Sequence, residues 1–368
     1  MTLGDLIKML RNGKGWSQGD LAERLCGLSD RPTLTREEVS RWETAKRSPG
    51  RFWLPFLAEA LSVPREALEA AKAGRPAALS EATRQALVRA MGAPYVLDDW
   101  HRLTEDYGYD FMSLSSRTVE PRLAGDLLLL RPGLNDASPG LWEVAGRLSV
   151  VMAMASASLN GPAASARWYR TAIAAADRSG SVSLREWTRG QGALALIYEG
   201  SQPGPVIRMA QVGLALSEKP SLGRLCALLA LAHAYAKPNQ SVPALGALRN
   251  ADDMFPTVET DEDASVFCMP RWGYSLTKTL VHARLGNIAQ SRAEQDTADA
   301  LRPRHLERYA AHTNVHRALS VVKSGDVGPG LDMAREALAS LPEGHRSQVL
   351  RGFVAEVKAA AQGGAGHG

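Results

Sequence analysis

Apolar residues recur at helical spacing from the start of the chain. Leu3, Leu6, Ile7 and Leu10 mark one face of a first helix, which Gly13 and Gly15 end. Ser17 is a good N-cap for a second helix, with Asp20 three residues on as its acidic partner, and Leu21, Ala22 and Leu25 supply that helix's apolar face. Thr35 caps a third, with Glu37 and Glu38 in its first turn, where the helix dipole favours acids. Val39 and Trp42 of this helix point to the core, which leaves Arg36, Glu37, Ser40 and Arg41 on the outer face. The pattern predicts a fourth helix from about Phe52 to Leu61, and Pro64 starts a fifth.

The consecutive segments SQGDLAERL (17–25) and LTREEVSRWET (34–44) therefore have the order of a helix-turn-helix, a unit whose second helix can lie in a DNA major groove. Arginine suits a bidentate contact with guanine, and glutamate can accept from cytosine. Phosphate contacts add affinity without sequence information.

Residues 74–140 read as a helical connecting region. Ala78 to Met91 is predicted helical with Ser80 as its cap, and AGDLLLLRPG is a short helix ended by Pro132 and Gly133. The stretch between them, DYGYDFMSLSSRTVEPR, has mixed character and no assignment. Residues 141–361 are repetitive, with Ala- and Leu-rich helices punctuated by Gly161, Gly200, Asn239, Gly286 and Gly325 at intervals of 39, 39, 47 and 39 residues. Pro162, Pro205, Pro243 and Pro329 fall in the first turn of the helix that follows four of these markers. The long interval holds an acidic loop, Thr257 to Ala264, expected to be a mobile element or lid. No strand alternation occurs here. A period near 40 of helix, turn, helix predicts a helical solenoid close to a tetratricopeptide repeat. The Gly- and Ala-rich residues 362–368 are expected to be disordered.

The N-terminal segment resembles the phage repressor/Cro (XRE) family of helix-turn-helix domains. The matching residues are Leu3, Ile7, Leu10, Ser17, Gln18, Leu21, Ala22, Val39, Ser40, Trp42, Glu43, Pro49, Leu57 and Leu61, with SVPREAL after the fourth helix. It departs from the family where GLSDRPTLT (27–35) replaces the usual tight turn between helices two and three. The resemblance implies that Gln18 meets a phosphate, that Arg36, Glu37, Ser40 and Arg41 face base edges, and that Lys46, Arg47 and Arg51 hold the DNA backbone. The second half, in ARWYRTAIAAAD (166–177) and SLREWTRGQGALALIYEG (183–200), resembles the C-terminal domains of actinobacterial helix-turn-helix regulators with tetratricopeptide-like repeats. That implies a cytoplasmic homodimer whose repeats sense a peptide or small molecule.

Composition changes this picture little. Net charge is +4 over 368 residues, and residues 1–51 hold ten Lys or Arg against seven Asp or Glu. This suits a nucleic-acid partner without being polybasic. There is no apolar run of membrane length and no signal peptide, so no membrane partner is expected. Cys26, Cys226 and Cys268 lack metal or redox spacing, which fits a reducing cytoplasm. No GxSxG, Walker A or HExxH motif is present, so neither an enzyme nor a cofactor is expected. His312 and His316 lie four apart on a predicted helix but lack a third ligand, so no metal site is assigned. Most aromatics of the repeats are expected in the core. Arg185, Trp187, Arg189, Tyr198 and Asn314 are the candidates for ligand contact on the inner surface.

Two readings follow. The favoured one is an all-α, dimeric, sequence-specific DNA-binding transcription regulator. It joins a five-helix helix-turn-helix domain (1–73) to a tetratricopeptide-like solenoid. The alternative is a protein-interaction scaffold whose helix-turn-helix does not bind DNA.

Overall fold

A computed structural model of the chain describes residues 2–74, 84, 87–88, 96–134, 138–258 and 264–364. Among these residues the fold is all-helical, without strands. It divides near residue 95 into two compact units. The helix predicted over Ala78 to Met91 lies largely outside the described residues, as do most of the acidic loop and Ala365 to Gly368.

Among the described residues the first unit holds α1 (Leu3–Gly13), α2 (Gln18–Ser29), α3 (Arg36–Glu43), α4 (Trp53–Leu61) and α5 (Arg65–Lys72). Each of the first three starts on a hydroxyl cap. Thr2 accepts from the Asp5 amide and Ser17 from the Asp20 amide, both in reciprocal capping boxes. Thr35 accepts from the Glu38 amide. The loop between α2 and α3 is shorter than the sequence suggested, because Gly27 to Ser29 extend α2. Asp30 ends that helix in the left-handed region at φ 54°. Leu34 then turns into the core, and its carbonyl accepts from the Cys26 thiol at 3.5 Å.

Ile7, Leu21, Leu25, Val39, Leu57 and Leu68 are fully buried at the centre of this unit, and Trp42 closes one side. Truncating one such leucine to alanine costs about 2–5 kcal/mol. Helices α1 and α3 touch backbone to backbone at Gly4, where a Cβ would stand 2.5 Å from the Trp42 carbonyl oxygen.

The second unit opens with α6 (Leu97–Ser113) and α7 (Ser116–Leu130), followed by a 3₁₀ turn at Arg131–Leu134. The stretch left unassigned from sequence is thus the end of α6, a two-residue break and the start of α7, with Pro121 inside the helix. Gly108 admits the chain segment 264–270 against α6. The Val266 amide donates to the Gly108 carbonyl at 3.3 Å, and a Cβ on Gly108 would meet Phe267.

Five helical hairpins follow. They are α8/α9 (Pro139–Asn160, Pro162–Ser179), α10/α11 (Val182–Tyr198, Pro203–Leu214), α12/α13 (Leu222–Ala236, Ser241–Met254), α14/α15 (Arg271–Leu285, Ile288–Leu301) and α16/α17 (Glu307–Lys323, Val327–Ala339). A final helix, α18 (Gln348–Gly364), ends the stack. The five markers at the hairpin turns, Gly161, Gly200, Asn239, Gly286 and Gly325, all adopt positive φ, which explains the recurrence of glycine there. The even-numbered helices α8 to α16 form an inner layer packed on one another, and the odd ones form an outer layer. Helices α10 and α12 cross at Gly190 and Gly223 with no room for a side chain. Helix α18 packs on both α16 and α8, so the last layer of the stack meets the first.

A polar column runs through the inner layer. Arg284 makes a two-pronged pair with Glu356, at 2.7 and 2.8 Å, and its third nitrogen meets His233 Nδ1 at 3.2 Å. The Tyr198 ring lies 4.8 Å from that of His233, and Thr279 bonds His316 Nδ1 at 2.6 Å. Burial, followed by the charge of Arg284, holds the His233 imidazole well below its usual range. Burial does the same to His316, and takes His312 to about 3 with help from Arg308.

An unfolded chain protonates these imidazoles near pH 6.5, whereas the folded one does so only far lower. Folding stability supplied by the neutral histidines is therefore lost as pH falls below about 6.5. The melting temperature of the second unit is expected to drop between pH 7 and pH 5, and His312→Gln with His316→Gln is expected to flatten that slope. A melting temperature that stays constant over the interval contradicts the burial of neutral imidazoles.

Candidate functional site

The outer face of α3 is built by what its inner face buries. Val39 and Trp42 are held in the core, so Arg36, Glu37 and Arg41 are exposed and Ser40 is half-buried beside them. Past the helix end, Ala45 takes the left-handed conformation at φ 55°, and the chain turns back so that the Arg47 amide donates to the Arg41 carbonyl at 3.1 Å. Lys46, Arg47 and Arg51 are exposed after this turn.

Glu38 sits among these cations. Its carboxylate takes Arg41 at 3.3 Å and Arg47 at 3.0 Å. This partner escaped sequence reasoning, although its spacing of three residues before Arg41 is the usual sign of a helix-surface pair. An anion that engages both arginines competes with Glu38 for them. Exposed pairs of this kind contribute little to stability, so the exchange costs little. Glu37, the other acid of the first turn, is held below its ordinary carboxyl range by its own backbone amide and the Thr35 hydroxyl.

Beneath the face lies a buried ion pair. Arg11 Nε donates to Glu43 Oε1 at 2.6 Å and Arg11 Nη2 to Oε2 at 3.0 Å. Gln18 Nε2 donates to the same Oε2 at 2.8 Å, and Arg11 also reaches the Trp16 carbonyl. Burial alone would raise the Glu43 carboxyl; the hydrogen bonds from Arg11 and Gln18 outweigh it and hold the group below its usual range. One carboxylate thus ties α3 to the end of α1 and the start of α2. Gln18, expected to face phosphate, spends its amide nitrogen on Glu43 in the free protein.

The candidates named on the repeats do not form one site. Arg185 and Arg189 both pair with Asp177, at 3.0 and 2.9 Å. Trp187 is buried against Phe267, with ring centroids 5.4 Å apart, and its indole nitrogen has no hydrogen-bond partner among the described residues. The Asn314 side-chain oxygen accepts from Arg317 at 3.1 Å. Of the five, Tyr198 alone lines the internal cavity of the second unit, together with Gln191, Glu199 and His312. Sequence alone could not locate this cavity, because its wall draws on α6, α8, α10, α14 and α16. Among the described residues no three His, Cys, Asp or Glu side chains are grouped to hold a metal, and no helix is long and apolar enough to cross a membrane.

Residues 2–71 match the family model of a helix-turn-helix domain. No curated protein and no solved structure matches the chain. Residues 2–71 are accordingly a helix-turn-helix domain of the DNA-binding kind, which supports, at that level, a DNA-binding regulator.

Removing Glu43 leaves Arg11 as an unpaired buried cation. Glu43→Ala is expected to destabilise the first unit by about 3–5 kcal/mol. Hydrogen exchange on the full chain reads this as lost protection in α1 and α3 with α10 to α16 unchanged. Unaltered protection across residues 3–43 contradicts the role given to the pair.

Proposed function

We propose that the chain is a sequence-specific transcription regulator that binds double-stranded DNA as a homodimer and carries a tetratricopeptide-like repeat unit for dimerisation and effector sensing. The observation that carries this reading is the outer face of α3. Its arginines are exposed, flanked by Lys46, Arg47 and Arg51, and backed by a rigid buried pair.

On this reading α3 enters the major groove. Arg36, Glu37, Ser40 and Arg41 meet base edges, while Lys46, Arg47 and Arg51 follow the phosphates. Gln18, at the first turn of α2, reaches a phosphate if its amide leaves Glu43. A single five-helix unit has a small footprint, and domains of this type bind paired half-sites one helical turn apart, so a dimer contact is required. The second unit supplies it through its terminal repeats. The structure of the repeats supports a sensing role by one feature, the cavity inside the inner layer. The effector is a peptide or small molecule that binds DNA-competent and incompetent dimers with different affinity.

In gel shifts with the DNA upstream of its own reading frame, Arg41→Ala is expected to cost about 1–3 kcal/mol on the specific site and to relax base preference there. Arg47→Ala is expected to weaken specific and random DNA alike and to lower the salt slope by about one phosphate. Equal losses on specific and random DNA for both variants contradict the assignment of α3 to the groove. Light scattering is expected to give twice the chain mass at micromolar concentration. A monomer removes the homodimer and leaves the DNA contacts to be judged by the gel shifts.

A further inference from the structure

Two cavities of the second unit meet at Arg308. The larger, of about 200 Å³, is walled by Met112, Met154, Leu194, Met269, Trp272 and Leu276, among others. The smaller, of about 90 Å³, is polar and lies between the start of α7, the turn Glu343–His345 and the start of α18. Among the described residues its wall carries Arg117, Arg346 and Arg351 and one acid, Glu343. Ser158, Arg308 and Ser347 line both, so the apolar chamber and the basic one adjoin.

Arg308 is only 8 % exposed. Its Nη2 donates to the Phe111 carbonyl at 2.6 Å, and its guanidinium stands over the rings of Phe111 and Tyr309 at 4.9 and 5.1 Å. These contacts aim the fork without neutralising it. Among the described residues no carboxylate pairs with Arg308, nor with Arg117, Arg346 or Arg351. A charge this deep normally has a counter-ion, since burial without one is costly. Its field is felt nearby, where it adds to burial in lowering the imidazoles of both His312 and His345. An arginine fork matches the two oxygens of a carboxylate or phosphate.

The chamber next to it asks for the opposite chemistry. A cavity of about 150 Å³ lined by aliphatic and aromatic side chains holds a benzene ring, so this one admits an aryl group or a medium-length acyl chain. Glu199 on its wall accepts from Tyr169 at 2.8 Å and from Ser165, and burial pushes its carboxyl up to about 7, so at neutral pH it carries only part of a negative charge.

We infer that the two cavities form one binding site for an amphipathic anion. The ligand's apolar body fills the chamber between Met154, Leu194 and Trp272, and its oxyanion head lies on Arg308, with Arg117 and Arg351 at the mouth. This deepens the effector-sensing part of the proposed function and rests on it only for the consequence at the DNA.

Calorimetry on the full chain with four probes of one chain length tests the site: octanoate, octyl phosphate, octanol and octylamine. At least one of the two anions is expected to bind once per chain, about tenfold or more tighter than octanol or octylamine; which anion wins tells a carboxylate head from a phosphate head. Arg308→Gln is expected to abolish that preference. Because Arg308 also bonds the Phe111 carbonyl, the exposed pair Arg117→Gln/Arg351→Gln provides a variant that keeps this contact, and it is expected to lower anion affinity by a few-fold. Leu194→Trp fills the chamber and is expected to remove binding of all probes. Octanol binding as tightly as octanoate and octyl phosphate, anion affinity unchanged in both arginine variants, or no binding at millimolar concentration overturns the site. Anion binding that leaves DNA affinity unchanged supports the site and overturns the effector reading instead.

Discussion

The aim of α3 depends on a buried charge pair. Arg11 lies in the last turn of α1, Glu43 ends α3, and the two meet through a pair of parallel hydrogen bonds while Gln18 of α2 adds a third. Apolar packing of Val39 and Trp42 presses α3 onto the core without prescribing a direction. A two-pronged pair is directional, because both of its bonds lengthen if the helix shifts. The contact at Gly4, where no side chain separates α1 from α3, sets the distance at which that pair can form. Rigid placement of this kind is what a base-reading helix needs, since an arginine displaced by an ångström no longer meets two acceptors on one base.

The second unit solves a related problem in a different way. Its inner helices are rich in alanine and glycine and pack closely, as the crossing of Gly190 and Gly223 shows. Small residues at helix crossings leave no volume to fill the interior of a closed stack. The centre is occupied instead by a column of polar and aromatic side chains, Tyr198, His233, Arg284, His316 and Glu356, one from each even-numbered helix from α10 to α18. Where the column ends, a cavity begins. Among the described residues a carboxylate pairs with Arg284 and none with Arg308, and the proposed ligand site rests on that contrast between two buried guanidinium groups.

Much of this was legible in the residues. Ser17 with Asp20, and Thr35, announced two of the helix starts, because a hydroxyl at the cap is read directly from sequence. The five turn markers were legible for the same reason: each demands a left-handed backbone, and glycine or asparagine meets it. The segment around Gly108 and Pro121 was not, since both residues ordinarily break helices. Gly108 is there because segment 264–270 lies against α6, and Pro121 is accommodated inside α7; neither is visible without the partner surface. The continuation of α2 through Gly27 to Ser29 was likewise not legible, since glycine and serine ordinarily favour turns. Among site residues, the exposed arginines of α3 could be found from periodicity, while Glu38 as their partner and Glu43 as the anchor of α3 needed coordinates. Arg308 could not be singled out at all, because what marks it is burial without a paired carboxylate among the described residues.

The central claim is that α3 reads DNA sequence. Selection of bound duplexes from a random pool by the full chain tests it most directly. The account predicts enrichment of one motif, arranged as two half-sites about one helical turn apart, and loss of the motif when Arg36 and Arg41 are both replaced by alanine. Recovery of unenriched sequence by the unmodified protein, or of the same motif by the doubly substituted one, contradicts it.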